Sequence, residues 1–445
     1  MSVEVQKNIA EFIVNTRYGQ VEPRFIKDIK YRIIDWLGCA TAGAHYKQAE
    51  IARAYWEAIG GGQEATAIGA QAKYPAPNAA FINGIIGHVS ELDDGHRQAI
   101  GHPGSVTLPV ALAIGETVQA SGQEFLTALI IGYEIYIRLG SAVNPSHYKY
   151  WHTTSTCGIF AATGVAASLL KLTVEETINA LGIAGTMASG FSESFGSHAK
   201  ALNIAHACQN GIMAARLAKL GFTGSPAILT GKKGFLAATS SPENWPKLAE
   251  FSPATLISDT AFYKVYASCG HTNSPLDIIF QLLAKGPIAT EKIKTILVET
   301  YKVSVDIAKD LKTATEDAAK FSLPYVIAVA LLKKRVTLGE FTPEMLHDET
   351  VLSLARKVKV VEDAEATKRF PKRQAKITIV LEDGTKLCGA VDDSHDVTDY
   401  PKLEEKFRGL TSTVADDAAE KVLAAVKHLD EANDIKALIN YLQVI

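Results

Sequence analysis

Apolar residues recur at three- and four-residue spacing from the start of the chain. Ile9, Phe12 and Ile13 are followed by Ile26, Ile29, Ile33, Ile34 and Leu37, the pattern of amphipathic helices that bury one face. Four later segments (76–89, 108–114, 161–170 and 178–189) are so rich in small and apolar residues that they lack a polar face. A helix apolar on every side belongs in an interior, and small residues let neighbouring helices approach closely. The spacing therefore predicts a large all-helical domain over residues 1–262.

Near residue 262 the texture changes. Residues 292–303 (KIKTILVETYKV) and 373–391 (RQAKITIVLEDGTKLCGAV) show β-branched alternation, and the Asp383-Gly384 pair between two strand-like runs signals a hairpin. An aliphatic helix is predicted at 325–333 and another at 343–358. Residues 263–400 are thus expected to form a smaller α+β domain. The tail, 401–445, returns to helical periodicity through Val422, Leu423, Val426 and Leu429, and is expected to pack back onto the first domain. The fold class is mainly α, with the helical domain built from both chain ends, and a hinge between domains is a common place for a ligand cleft.

The chain has 445 residues, a formal net charge of −3 and 21% charged residues, so electrostatics offers no case for nucleic acid or an anionic membrane. Five scattered cysteines without a CxxC pair speak against zinc, an iron–sulfur cluster or a disulfide framework. The N-terminal residues have no apolar signal core. The uncharged stretch 152–170 raises the question of a membrane span, but its Thr, Ser and Gly content favours a buried helix. A cytoplasmic, membrane-free protein is expected. No GxGxxG, P-loop, HExxH or GxSxG motif stands in a credible context, which removes dinucleotide, nucleotide, zincin and serine-hydrolase chemistry.

The densest chemistry lies in residues 91–109, ELDDGHRQAIGHPGSVTLP. Glu91, Asp93, Asp94, His96, Arg97 and His102 crowd a loop between two apolar helices, which suits proton transfer as well as a solvated turn. His152, ahead of TTST, sits where a helix N-terminus would favour an anion, or serves as a capping loop residue. In SHAKALNIAHACQNG, residues 197–211, Lys200, Asn203, His206 and Asn210 share a helix face that either meets solvent or holds an anionic ligand. Lys264 and His271 lie in YKVYASCGH at the texture switch, and Tyr325 heads an aliphatic helix, a position more typical of core tyrosines. Acids and imidazoles suit proton removal beside a carboxylate, and the lysines with Arg97 suit a substrate carrying several carboxylates.

These stretches, read in order as HVSELDDGHRQAIGHPGSVTLP, WHTTSTCGIFAATGVAA, the Lys200 helix ending in GFTG, KVYASCGHT and AAKFSLPYVIAVAL, resemble the signature motifs of the MmgE/PrpD family across essentially the whole chain. The family includes 2-methylcitrate dehydratase, cis-aconitate decarboxylase and iminodisuccinate epimerase. The resemblance implies a cofactor-free homodimer with its site between a helical and an α+β domain. It puts catalytic roles on Glu91, Asp93, His102, His152 and Tyr325, and substrate binding on Arg97, Lys200, Lys264 and His271. Gly95, Asn203, His206 and Asn273 stand where the family often has threonine, histidine, arginine and histidine. The expected activity is that of a hydro-lyase dehydrating a 2-methylcitrate-like acid without metal. Decarboxylation of cis-aconitate, epimerisation of an iminodisuccinate-like compound and silent polycarboxylate binding are the alternatives.

Overall fold

The structure is a computed structural model that describes residues 4–248, 250–395, 400–412 and 416–444. It divides into two units, the first comprising Met1–Ser194, Ala199–Tyr263 and Thr398–Ile445, the second Phe195–His198 and Lys264–Val397.

In the first unit the segments without a polar face form the interior. The helices Ala76–His88, Pro103–Val118 and Gly158–Leu169 are buried along nearly their whole lengths, and Ala199–Lys219 packs across all three. Close approach depends on missing side chains. A Cβ on Gly87 would lie 2.2 Å from the Trp36 indole nitrogen, so the Pro23–Gly43 helix can cross here only over glycine. The helix Gly122–Val143 starts at a capping box, in which Ser121 and Glu124 satisfy each other's backbone donors. It is the described helix long and apolar enough to cross a membrane, yet its apolar stretch is buried among its neighbours. The 152–170 run breaks into Thr153–Thr156 and Gly158–Leu169. A two-residue ladder, Ala65–Thr66 with Lys73–Tyr74, interrupts the otherwise helical unit. The tail forms Tyr400–Leu410, Asp416–Lys427 and Lys436–Val444, burying Val422, Val426 and Leu429, and its first helix packs on Pro23–Gly43.

The second unit holds a four-stranded sheet in the order Val358–Glu362, Ile293–Thr300, Ala375–Leu381, Lys386–Val391. The last two strands are the expected hairpin, with Gly384 at φ 87° in its turn. Two boundaries differ from the sequence reading. The strand beginning at Ile293 stops at Thr300, and Lys302–Ala308 is helical, supported by a Lys302–Asp306 pair one turn apart. The helix expected over 343–358 is two short helices, Pro343–Leu346 and Glu349–Ala355, because Asp348 caps the second. Its end is the parallel strand at Val358, where a β-branched run outweighs helical spacing.

Candidate active site

The 76–88 helix delivers His88 to the entrance of the acidic loop. The loop holds two non-glycine residues in the left-handed region, Glu91 at φ 58° and Ile100 at φ 47°, a conformation that costs energy and tends to occur at working sites. Backbone bonds pin it: Gly95 exchanges N–H···O bonds with Phe262 at 2.9 and 2.6 Å, and His96 N–H donates to the Gly101 carbonyl at 2.8 Å. Lys406 donates to the Leu92 carbonyl at 2.7 Å. Gly101 has no room for a side chain, since a Cβ would lie 1.8 Å from the Tyr136 hydroxyl oxygen.

The two adjacent aspartates face different surroundings. Asp94 accepts from the Tyr133 hydroxyl at 2.9 Å and from the Gly104 amide at 3.1 Å, and lies 3.5 Å from the Arg32 guanidinium. Asp93 Oδ2 faces His88 Nδ1 at 2.8 Å, the Ser105 hydroxyl at 2.6 Å and His102 Nδ1 at 3.2 Å. Burial pushes Asp94 up to about 7: Arg32 and Tyr133 pull it down, and the nearby charges of Asp35 and Asp93 oppose them.

The tautomers follow from these partners. His102 Nδ1 lies 2.6 Å from the Asp94 carbonyl oxygen, which can only accept, so Nδ1 carries a proton and Nε2 is the nitrogen that gains or loses one. His88 likewise points Nδ1–H at the Asp93 carboxylate, and its Nε2 meets the Lys200 ammonium at 2.5 Å. Lys200 is buried and also pairs with Glu91. Asn203 donates its amide N–H to Ser194 Oγ at 2.9 Å and to His152 Nδ1 at 3.3 Å, which leaves the His152 proton on Nε2. Burial, followed by the charges of Lys200, His88 and His102, holds His152 well below the usual imidazole range, so it is neutral.

Among the sequence-selected residues, Glu91, Asp93, His102, His152 and Lys200 therefore stand together. Arg97 lies over the Phe262 ring at 5.4 Å, and His96 Nε2 reaches the Thr260 hydroxyl at 3.0 Å. The lysine-helix face divides: Lys200 is buried while His206 is exposed. In the second unit Lys264 and His271 are buried, and His271 Nδ1 lies 2.7 Å from the Tyr301 hydroxyl. Tyr325 is fully buried and its hydroxyl donates to the Glu340 carbonyl at 2.6 Å, the satisfied core tyrosine of the structural alternative. His88 was missed. Its signal was its place at the end of an apolar helix, five residues before Asp93.

By distance alone His88, Glu91 and His102 could gather around an ion, their donor atoms lying within 4.8 Å of one another. The Lys200 ammonium occupies the side of His88 and Glu91 that an ion would need, and its charge opposes one.

The fold and this cluster define a mainly helical two-unit protein with a buried acid–imidazole–lysine site. Its sequence matches the MmgE/PrpD N-terminal domain over residues 7–248 and the MmgE/PrpD C-terminal domain over 266–431, and the chain belongs to that family. It is 27% identical to human cis-aconitate decarboxylase, over 100% of this chain and 95% of that protein. It is 26% identical to cis-aconitate decarboxylase of Aspergillus terreus, over 98% and 96%. The similarity to 2-methylcitrate dehydratase of Salmonella typhimurium, 24% identical, spans 56% of this chain and 55% of that enzyme.

Proposed function

We propose that this protein is a lyase that decarboxylates cis-aconitate by general acid–base and electrostatic catalysis, without a cofactor. The observation that carries the reading is Lys200, a buried ammonium held between Glu91 and His88 beside two imidazoles of defined tautomer. End-to-end similarity to cis-aconitate decarboxylases supports it, and moves the preference from dehydration to decarboxylation.

In this scheme a substrate carboxylate competes with Glu91 for Lys200. The C–C bond to one carboxylate breaks and CO2 leaves. The electron pair shifts across the double bond to the carbon beside another carboxylate, whose oxygens take up the developing charge. His152 Nε2–H donates to that oxygen, and a dipole already aimed there needs no reorganisation. His102 Nε2 delivers the proton to carbon and is replenished from solvent, its side chain being 16% exposed. The trianion plus one proton becomes CO2 and a methylene-substituted dicarboxylate.

Dehydration of a 2-methylcitrate-like acid is the second reading, favoured by the similarity to 2-methylcitrate dehydratase over 56% of the chain. Incubation with cis-aconitate, 2-methylcitrate, citrate and iminodisuccinate, followed by NMR and CO2 detection, separates the two. CO2 release from cis-aconitate with uptake of one proton is expected. Turnover of 2-methylcitrate with none of cis-aconitate would overturn the decarboxylase reading.

A further inference from the structure

Lys200 has a neighbour to which the sequence assigned no role, although it opens the HVSELDDGHR motif. His88 sits at the last turn of the 76–88 helix, 1% exposed, with its two nitrogens engaged on opposite sides. Nδ1 faces Asp93 Oδ2 at 2.8 Å, and Nε2 faces Lys200 Nζ at 2.5 Å. An ammonium group has no lone pair and can only donate, so Nε2 must present one to it. The proton is then on Nδ1, where the Asp93 carboxylate accepts it. Asp93 is itself fixed by the Ser105 hydroxyl at 2.6 Å. The order Ser105–Asp93–His88–Lys200 is therefore a chain in which each donor has one direction.

We propose that His88, oriented by Asp93, is the positioning residue that holds the Lys200 ammonium where a substrate carboxylate can exchange with Glu91. The inference rests on the polycarboxylate reading of the same site. A lysine has a flexible four-carbon stem and a point charge with no preferred direction, so its location is set by the acceptors around it. Glu91 is one acceptor, but it is the one a substrate carboxylate would replace. His88 is neutral and remains in place when the substrate arrives. Without it the ammonium would lose this fixed acceptor at the moment its geometry matters.

This arrangement depends on proton count. A proton added to His88 Nε2 turns the acceptor into a donor and sets two cations against each other. The charged and titratable groups around the pair are Glu91, Asp93 and His102 of the loop, neutral His152 ahead of the 153–156 helix, and Asp94, which faces Arg32. Behind them Asp35 of the 23–43 helix and Lys406 of the 400–410 helix form their own pair at 2.7 Å.

The test uses the full chain and three measurements. Nitrogen-15 NMR of histidine-labelled protein, with His88 assigned by its loss in His88→Gln, should show Nδ1 protonated and Nε2 bare at neutral pH. A protonated Nε2 in the neutral ring would overturn the proposal without reference to any substrate. Steady-state kinetics with cis-aconitate then compare two variants. His88→Gln keeps an acceptor near Nε2 and should retain turnover within about tenfold. His88→Leu removes the acceptor and should raise KM by roughly 10-fold or more, with a smaller change in kcat. Circular dichroism of both variants checks that they are folded. A folded His88→Leu with wild-type KM, or a His88→Gln as impaired as His88→Leu, would overturn the positioning role. If the wild-type protein turns over no polycarboxylate, the functional reading fails while the NMR result still decides the tautomer. In that case calorimetric binding of tricarballylate, a non-reacting tricarboxylate, replaces KM: weaker binding by His88→Leu supports the role, and equal binding or none by either protein overturns it.

Discussion

The Asp94 carboxylate lies 3.5 Å from the Arg32 guanidinium, and both side chains are buried. Despite this counter-charge, burial together with the negative neighbours Asp35 and Asp93 pushes Asp94 up to about 7 from 3.8. Pairing one cation with several carboxylates in a buried space leaves one acid poorly compensated.

That excess has a consequence for stability. Between 3.8 and about 7 the folded state holds a proton on Asp94 that the unfolded chain has released. The contribution of this group is therefore fully present below the lower value and is lost as pH rises through the upper one. Asp94→Asn removes that dependence. Thermal melts of both proteins from pH 5 to 8 should show the difference in midpoint moving in the variant's favour as pH rises. A difference that stays constant across the range would show that Asp94 does not titrate in this window.

Lys200 and His102 test the proposed chemistry directly. Lys200→Ala removes the buried positive charge, and His102→Ala removes the nitrogen that exchanges a proton. Each should lower turnover of cis-aconitate by roughly 10²–10⁴, the range for losing a positioned electrostatic or acid–base group. Lys200→Ala also strands Glu91 without its cation, so Lys200→Ala/Glu91→Gln should be better folded than Lys200→Ala alone. Wild-type turnover in either single variant would remove that residue from the mechanism.

The fold was legible because its signals are periodic and local. Apolar spacing located the helices, and Asp383-Gly384 located the hairpin. What failed was local as well. Val358 followed a helical pattern closely enough to be absorbed into it, and only pairing with the 293–300 strand decided the matter. In the site, acids and imidazoles crowded into one loop were visible as an anomaly. His88 was not, because a histidine ending an apolar helix reads as a core residue until Asp93 and Lys200 are seen on its two sides. Tyr325 shows the reverse: a motif residue whose hydroxyl is already occupied by a backbone carbonyl.

The homodimer that the family resemblance implies needs an exposed apolar surface, and the helices without a polar face are buried within one chain. Exposed apolar side chains lie instead on the Lys47–Ile59 helix, where Ile51, Tyr55 and Ile59 repeat every fourth residue and are each more than half exposed. Such a stripe favours burial against a second copy, and a symmetric dimer is the commonest closed arrangement. Sedimentation at micromolar concentration should give twice the chain mass, and Tyr55→Glu/Ile59→Glu should shift it toward the monomer. A monomer in the wild-type protein would refute the dimer.

The last prediction concerns metal. His88, Glu91 and His102 bring donor atoms within 4.8 Å of one another, near enough for a divalent ion to bridge them. To do so it would have to displace Lys200, which contacts His88 Nε2 and Glu91. It would also have to use His102 through Nε2, since Nδ1–H is committed to the Asp94 carbonyl. Displacing the lysine would take its ammonium away from His88 Nε2 and Glu91 inside a buried site, and weakening the pairing of a buried cation is expensive. The proposed chemistry already has a charge to offset carboxylates and a nitrogen to move protons, so an ion would replace functions that side chains supply. Dialysis against EDTA should leave cis-aconitate turnover unchanged, and added zinc or manganese should inhibit or have no effect. Loss of activity on chelation, restored by one particular ion, would replace Lys200 with a metal as the group that meets the substrate carboxylate.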